Sequence, residues 1–178
     1  MNSALNPPAA FPVPDLSPGS RAAAADTVAE ARIWAWLAVG SLGVAGAFAL
    51  MLAVSRIPGI ERVMAWPLGF FAKGLVIHVV FSLVVWFLAV FALLATLATH
   101  EIAAVRVPAA RTGLGFGQLG VGLVALSFPL LFLPAFRDES VASLNNYVPA
   151  IIDPEYYVGL LVLFAGVTCP VLRHFMAV

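Results

Sequence analysis

Four long runs of apolar residues divide the sequence, and they limit its possible folds more than any other feature. The runs cover residues 33–55, 74–99, 114–136 and 156–172. A helix rises about 1.5 Å per residue, so about 20 residues cross a bilayer core of ~30 Å. In lipid a helix satisfies all of its own backbone hydrogen bonds. The sequence therefore predicts an all-α polytopic membrane protein, a bundle of four transmembrane helices, the fourth of them short.

The composition supports this class and excludes several others. Of the 178 residues, 62% are hydrophobic and 10% are charged, whereas soluble domains carry about 25% charged residues. The formal net charge is zero, so the basic footprint of a nucleic-acid-binding protein is absent. A single cysteine excludes a disulfide framework and a thiolate zinc site. Three histidines are too few for a histidine-rich di-iron site.

The two ends of the sequence differ in character. Residues 1–28 are rich in proline and alanine, which predicts a disordered tail, and residues 29–178 form the predicted membrane bundle. With the N-terminus inside, the inner segments would hold five arginines and the outer segments four basic residues. The positive-inside rule then favours a topology with both termini in the cytoplasm. For a bacterial protein, the membrane is then expected to be the inner membrane.

Small residues predict that the helices pack closely. Ser41, Ala45, Ala49 and Ala53 recur every four residues in the first run. The third run begins among glycines, at Gly113, Gly117 and Gly120. Such spacing lets the backbones of neighbouring helices approach each other. The acidic residues all fall outside the four runs, which argues against a proton-coupled transporter.

His78 is the residue that most suggests chemistry, because it is the only histidine within an apolar run. An ionisable residue in a membrane span is costly and is by default a candidate functional residue. Imidazole is a common axial ligand of haem iron, and the bulky side chains around His78 suit a large apolar ring. Ser82, four residues later, would share its helix face. The alternative is a histidine that bonds a neighbouring helix.

Other polar residues have more ordinary interpretations. Lys73, at the mouth of the second run, is expected to extend toward the membrane interface, and contact with a haem propionate is the less favoured reading. His100 and His174 lie at inner helix ends, where they are expected to interact with the helix dipoles. The alternative is that these two histidines are the ligands of a bis-histidine haem site, which is the weaker interpretation.

Two segments resemble the N-terminal part of subunit I of the haem–copper oxidases, the family that includes cytochrome c oxidase. The first is IHVVFSLVVWFLA, residues 77–89, which resembles the second helix of a divergent bacterial group of subunit I-like proteins. The second is LNNYVPAIIDPEYYVGLLVLFAGV, residues 144–167, which resembles the loop and fourth helix of that group. The resemblance covers residues 33–172. It departs from the commoner oxidases directly after the histidine, where they have glycine and this chain has Val79.

The resemblance implies a role for His78 as an axial ligand of a low-spin haem, of b or a type. In that family the second ligand of this haem, the ligand of the high-spin haem and the copper ligands lie on later helices. The resemblance thus implies that the chain is part of a respiratory oxidase core. It would act as an oxidoreductase only together with other oxidase helices or subunits, which would supply the copper. Membrane lipid surrounds such a core, and cytochrome c or quinol donates its electrons.

Two further hypotheses remain open from the sequence. One is a non-catalytic four-helix membrane scaffold or assembly subunit without a redox cofactor, in which His78 only packs. The other is a self-contained b-type cytochrome with His78, or His100 and His174, as ligands. The last is disfavoured because no second histidine lies at the depth of His78 in another apolar run.

Overall fold

The protein is an all-α membrane protein with four spanning segments. The computed structural model describes residues 18–64, 69–105, 113–144 and 149–177. Within these ranges four helical segments are long and apolar enough to cross a membrane: Ala25–Val54, Phe70–Ile102, Gly115–Phe136 and Pro154–Ala177. The predicted fold class is therefore confirmed, and each predicted apolar run lies on one of these segments.

The first helix, α1, covers Pro18–Val54 and begins earlier than the sequence predicted. Residues 18–28, predicted to belong to the disordered tail, are helical, which corrects that boundary. Proline is well suited to the first turn of a helix, and the alanines that follow have the highest helix propensity. Residues 1–17 of the predicted tail lie outside the described residues. A short 3₁₀ turn, Ile60–Arg62, follows α1.

The second spanning segment contains a change of helix type two residues after His78. Helix α2 covers Phe70–Val79, a π-helical stretch covers Val80–Val85, and helix α3 covers Trp86–Val105. Gly69 precedes α2 with a φ of 62°, a conformation that glycine adopts without strain. Single-turn π-helical insertions are rare in proteins, and those that occur often lie at functional sites.

The last two spanning segments pack tightly against each other. Helix α4 covers Leu114–Phe132 and ends in a 3₁₀ turn, Leu133–Phe136, and helix α5 covers Pro154–Ala177. A Cβ atom built on Gly120 would lie 2.6 Å from the backbone oxygen of Gly166. The two helices thus touch through their backbones at this crossing, as the glycines of the third run predicted.

A small hairpin covers one end of the bundle. Strand β1, Val141–Ser143, pairs antiparallel with strand β2, Ala150–Ile152, between α4 and α5. We call this the hairpin end, where α2 and α5 begin. At the opposite end, α3 and α5 finish and α4 begins. The two ends carry separate polar clusters, and the apolar core lies between them.

Candidate functional site

His78 lies on α2 against the backbone of α1. Its Nδ1 atom is 2.9 Å from the carbonyl oxygen of Ala45. Because a carbonyl only accepts hydrogen bonds, this contact places the ring proton on Nδ1. Nε2 then keeps its lone pair, and within the described parts of the chain it has no hydrogen-bond partner. The side chain is half-buried.

The backbone of His78 is held by the turn that follows. The hydroxyl of Ser82 donates to the carbonyl oxygen of His78 at 2.7 Å. The π-helical stretch begins two residues after His78, at Val80. The Ser82 hydroxyl thus adds a hydrogen bond at the start of this stretch, and it shares the helix face of His78 as the spacing predicted.

The bulky side chains near His78 separate into an inner and an outer set. Phe81 is fully buried and meets Phe128 of α4 edge to face, with ring centroids 5.1 Å apart. Trp86, Phe87 and Phe91 are instead exposed on the outside of the bundle, Phe87 by 62%. In a membrane these three side chains face lipid or another spanning helix.

Helix α1 has a glycine directly after the residue that bonds His78. Ala45, whose carbonyl accepts the hydrogen bond, is followed by exposed Gly46. A Cβ atom built on Gly46 would meet nothing within 4 Å. Helix α1 therefore carries no side chain at the exposed position directly after the residue that bonds His78.

Lys73 does not extend to the interface as the sequence predicted. Its side chain is 1% exposed, and its Nζ atom donates to the backbone carbonyl of Arg137. The reason is the hairpin connection, whose backbone covers the start of α2 and offers an acceptor there. The described contact of this ammonium is thus structural, tying α2 to the end of α4.

The hairpin end is held by an ionic cluster around Asp153. The Arg137 guanidinium bonds Glu155 and lies 3.7 Å from the Asp153 carboxylate. The Ser140 hydroxyl and the backbone N–H of Glu155 also donate to Asp153. Burial raises the pKa of Asp153, but these two hydrogen bonds and the Arg137 charge outweigh it, so the pKa lies below its usual value. Asp153 thereby caps the first turn of α5.

The opposite end contains an ion pair inside the spanning helices. Arg173 of α5 donates to the carboxylate of Glu30 of α1, and both residues are buried. The hydroxyl of Thr96 lies 3.3 Å from the other Glu30 oxygen. The expectation that every acid lies outside the spans is therefore wrong. The first span extends to Ala25, which brings Glu30 within it.

His78 lies apart from the other two histidines, which both belong to the end where α3 and α5 finish. His174 Nδ1 is 3.2 Å from the hydroxyl of Thr99, and His100 is half-buried near the end of α3. No group of three or more histidine, cysteine, aspartate or glutamate side chains in the described residues is arranged to hold a metal ion. His78, and the His100 and His174 pair as the weaker alternative, stay the haem-ligand candidates that the sequence predicted.

Comparison with known proteins adds no relative. No protein-family model, curated protein or solved structure matches the chain.

Proposed function

We propose that the chain is part of a haem–copper oxidase-like core of a bacterial inner membrane, with both termini in the cytoplasm. In this proposal His78 is an axial ligand of a low-spin haem. Support comes from the two segments that resemble oxidase subunit I and from the setting of His78. The chain alone lacks the copper and high-spin haem ligands of that family, so it acts together with other oxidase helices or subunits.

The observation that carries the proposal is the hydrogen bond between His78 Nδ1 and the Ala45 carbonyl, at 2.9 Å. Histidines that bind metals almost always donate their other ring N–H to a carbonyl, carboxylate or water. That bond fixes the tautomer, holds the plane of the ring and makes the remaining nitrogen more basic. In His78 the remaining nitrogen is Nε2, on a half-buried side chain.

The residues of this chain would therefore hold and orient one axial position. A bound haem supplies one-electron transfer between an electron donor, cytochrome c or quinol, and the oxygen-reducing centre. Ser82 fixes the backbone of His78 through its 2.7 Å hydrogen bond. The second axial ligand comes from another segment or subunit.

The same hydrogen bond also favours the scaffold hypothesis, because it gives His78 a packing role between α1 and α2 without any cofactor. In that case the chain is a non-catalytic assembly subunit. The two functions differ in what Nε2 does, and a test must therefore address that atom.

The test is a reduced-minus-oxidised visible spectrum with haem quantification, made on the protein purified from its native membrane with its partners. We expect a low-spin haem signal that disappears in His78→Ala while the chain still inserts. His174→Ala is the matched control, since its imidazole bonds Thr99 at the opposite end, and we expect it to keep the signal. An equal haem content in His78→Ala would overturn the ligand role and leave the scaffold.

A further inference from the structure

Two N–H groups inside the bundle lack an acceptor among the described residues. They are the indole Nε1–H of Trp34 and the Nε–H of Arg173. The two side chains are 0% and 2% exposed. Buried polar groups in native proteins nearly always bond protein or ordered water, and lipid offers neither donors nor acceptors in its core. Both groups therefore require an acceptor from outside the described part of the chain.

The two unpaired donors belong to one neighbourhood. Trp34 follows Glu30 by one helical turn on α1, and long side chains in a helix lean toward its N-terminus. The Trp34 ring therefore leans toward the turn of Glu30. Arg173 is bonded to the Glu30 carboxylate directly. One donor thus belongs to the residue that bonds the Glu30 carboxylate, and the other lies one helical turn from Glu30 on the same helix.

The charge balance decides which kind of molecule fits there. The Glu30 carboxylate and the Arg173 guanidinium neutralise each other, so a further anion would be buried without a counter-charge. The Glu30 carboxylate accepts from Arg173, and its other oxygen lies 3.3 Å from the Thr96 hydroxyl. That hydroxyl is also 3.0 Å from the Ala92 carbonyl. The missing partner is consequently a small, neutral acceptor, and water fits that description.

Polar groups also continue from this site to the end of the bundle. Thr99 lies one turn beyond Thr96 on α3, and its hydroxyl meets half-buried His174 at 3.2 Å. We infer that the Glu30–Arg173 pair, with Trp34 and Thr96, forms an internal water-binding site that is filled from the end where α3 and α5 finish. The site hydrates an ion pair that the apolar core would otherwise enclose.

The experiment is nuclear magnetic resonance on the full chain in lipid nanodiscs, with ¹⁵N in tryptophan and arginine side chains. Cross-peaks between the side-chain N–H groups and water are recorded. The Trp34 signal is assigned by elimination, with single Trp→Phe variants of the other tryptophans, so that Trp34 itself stays in place. We expect water cross-peaks at the Trp34 indole and at Arg173 Nε.

The controls are taken from the same spectra. Trp86 lies near the middle of the second span and is partly exposed toward lipid, so we expect its indole to show no water cross-peak. Exposed Arg56 should show one. A Trp34 indole or an Arg173 Nε–H without a water cross-peak would overturn the site. Neither result depends on haem binding at His78, which lies on another part of the bundle.

Discussion

The guanidinium of Arg173 bonds the carboxylate of Glu30 inside the bundle, across 143 residues of sequence. This contact joins the first spanning helix to the last. Thr96 adds the second span, and a Cβ atom on Gly117 would collide with the Glu30 carboxylate, so α4 closes over the pair as well. All four spans therefore meet around one buried ion pair.

The first prediction concerns the coupling between these two charges. Glu30→Gln leaves the Arg173 guanidinium buried without its counter-charge, and we expect it to lower the free energy of unfolding by about 3 kcal/mol. Arg173→Gln should cost a similar amount. The double variant should cost clearly less than the sum, since it removes both buried charges. Reversible unfolding in mixed micelles measures all three. Additive effects would show that the pair is not coupled.

The second prediction concerns the contact between α4 and α5. Gly120→Ala would place a methyl group 2.6 Å from the Gly166 carbonyl oxygen, so the helices must separate. We expect a loss of about 1–3 kcal/mol in the free energy of unfolding. Gly122→Ala on the same helix is the matched control, because nothing lies within 4 Å of its Cβ position. Equal effects of the two substitutions would contradict close packing at Gly120.

The third prediction concerns pH at the hairpin end. The folded pKa of Asp153 lies below the ordinary value of 3.8, so its charged form stabilises the fold above that pH and the contribution is lost as pH falls through the folded pKa. At neutral pH we expect Asp153→Asn to lower the free energy of unfolding by about 1 kcal/mol.

The difference between the wild type and Asp153→Asn should shrink as the pH is lowered below 3.8. Thermal unfolding followed by circular dichroism over this range measures it. Exposed Glu139 serves as the control position, and Glu139→Gln should change stability little at any of these pH values. A difference for Asp153→Asn that stays constant with pH would contradict the ionic role of Asp153.

The spanning helices could be predicted from the sequence because hydropathy dominates folding in a membrane. The four apolar runs each lie on one spanning segment, and the glycines of the third run lie at the contact that they predicted. The starts of the helices were harder to predict. Helix α1 extends back to Pro18, because an alanine-rich helical stretch precedes the apolar part of the sequence.

The polar contacts could not be predicted, because they depend on which helices are neighbours. Nothing local distinguishes Glu30 from an interfacial acid, and Arg173 is remote from it in sequence. Lys73 was expected at the interface, yet its ammonium group donates a hydrogen bond to the backbone carbonyl of Arg137. A bond from His78 to a neighbouring helix was one reading of the sequence, but its acceptor could not be named, since the Ala45 carbonyl is a backbone atom and carries no residue signature.

The central claim is that Nε2 of His78 binds haem iron, and it is tested most directly by replacing the imidazole with a free one. His78→Gly, purified with its partners, should lose the low-spin haem spectrum, and added imidazole should restore it by occupying the vacated position. His174→Gly should show neither the loss nor the recovery. A low-spin spectrum that persists in His78→Gly without imidazole would contradict the assignment.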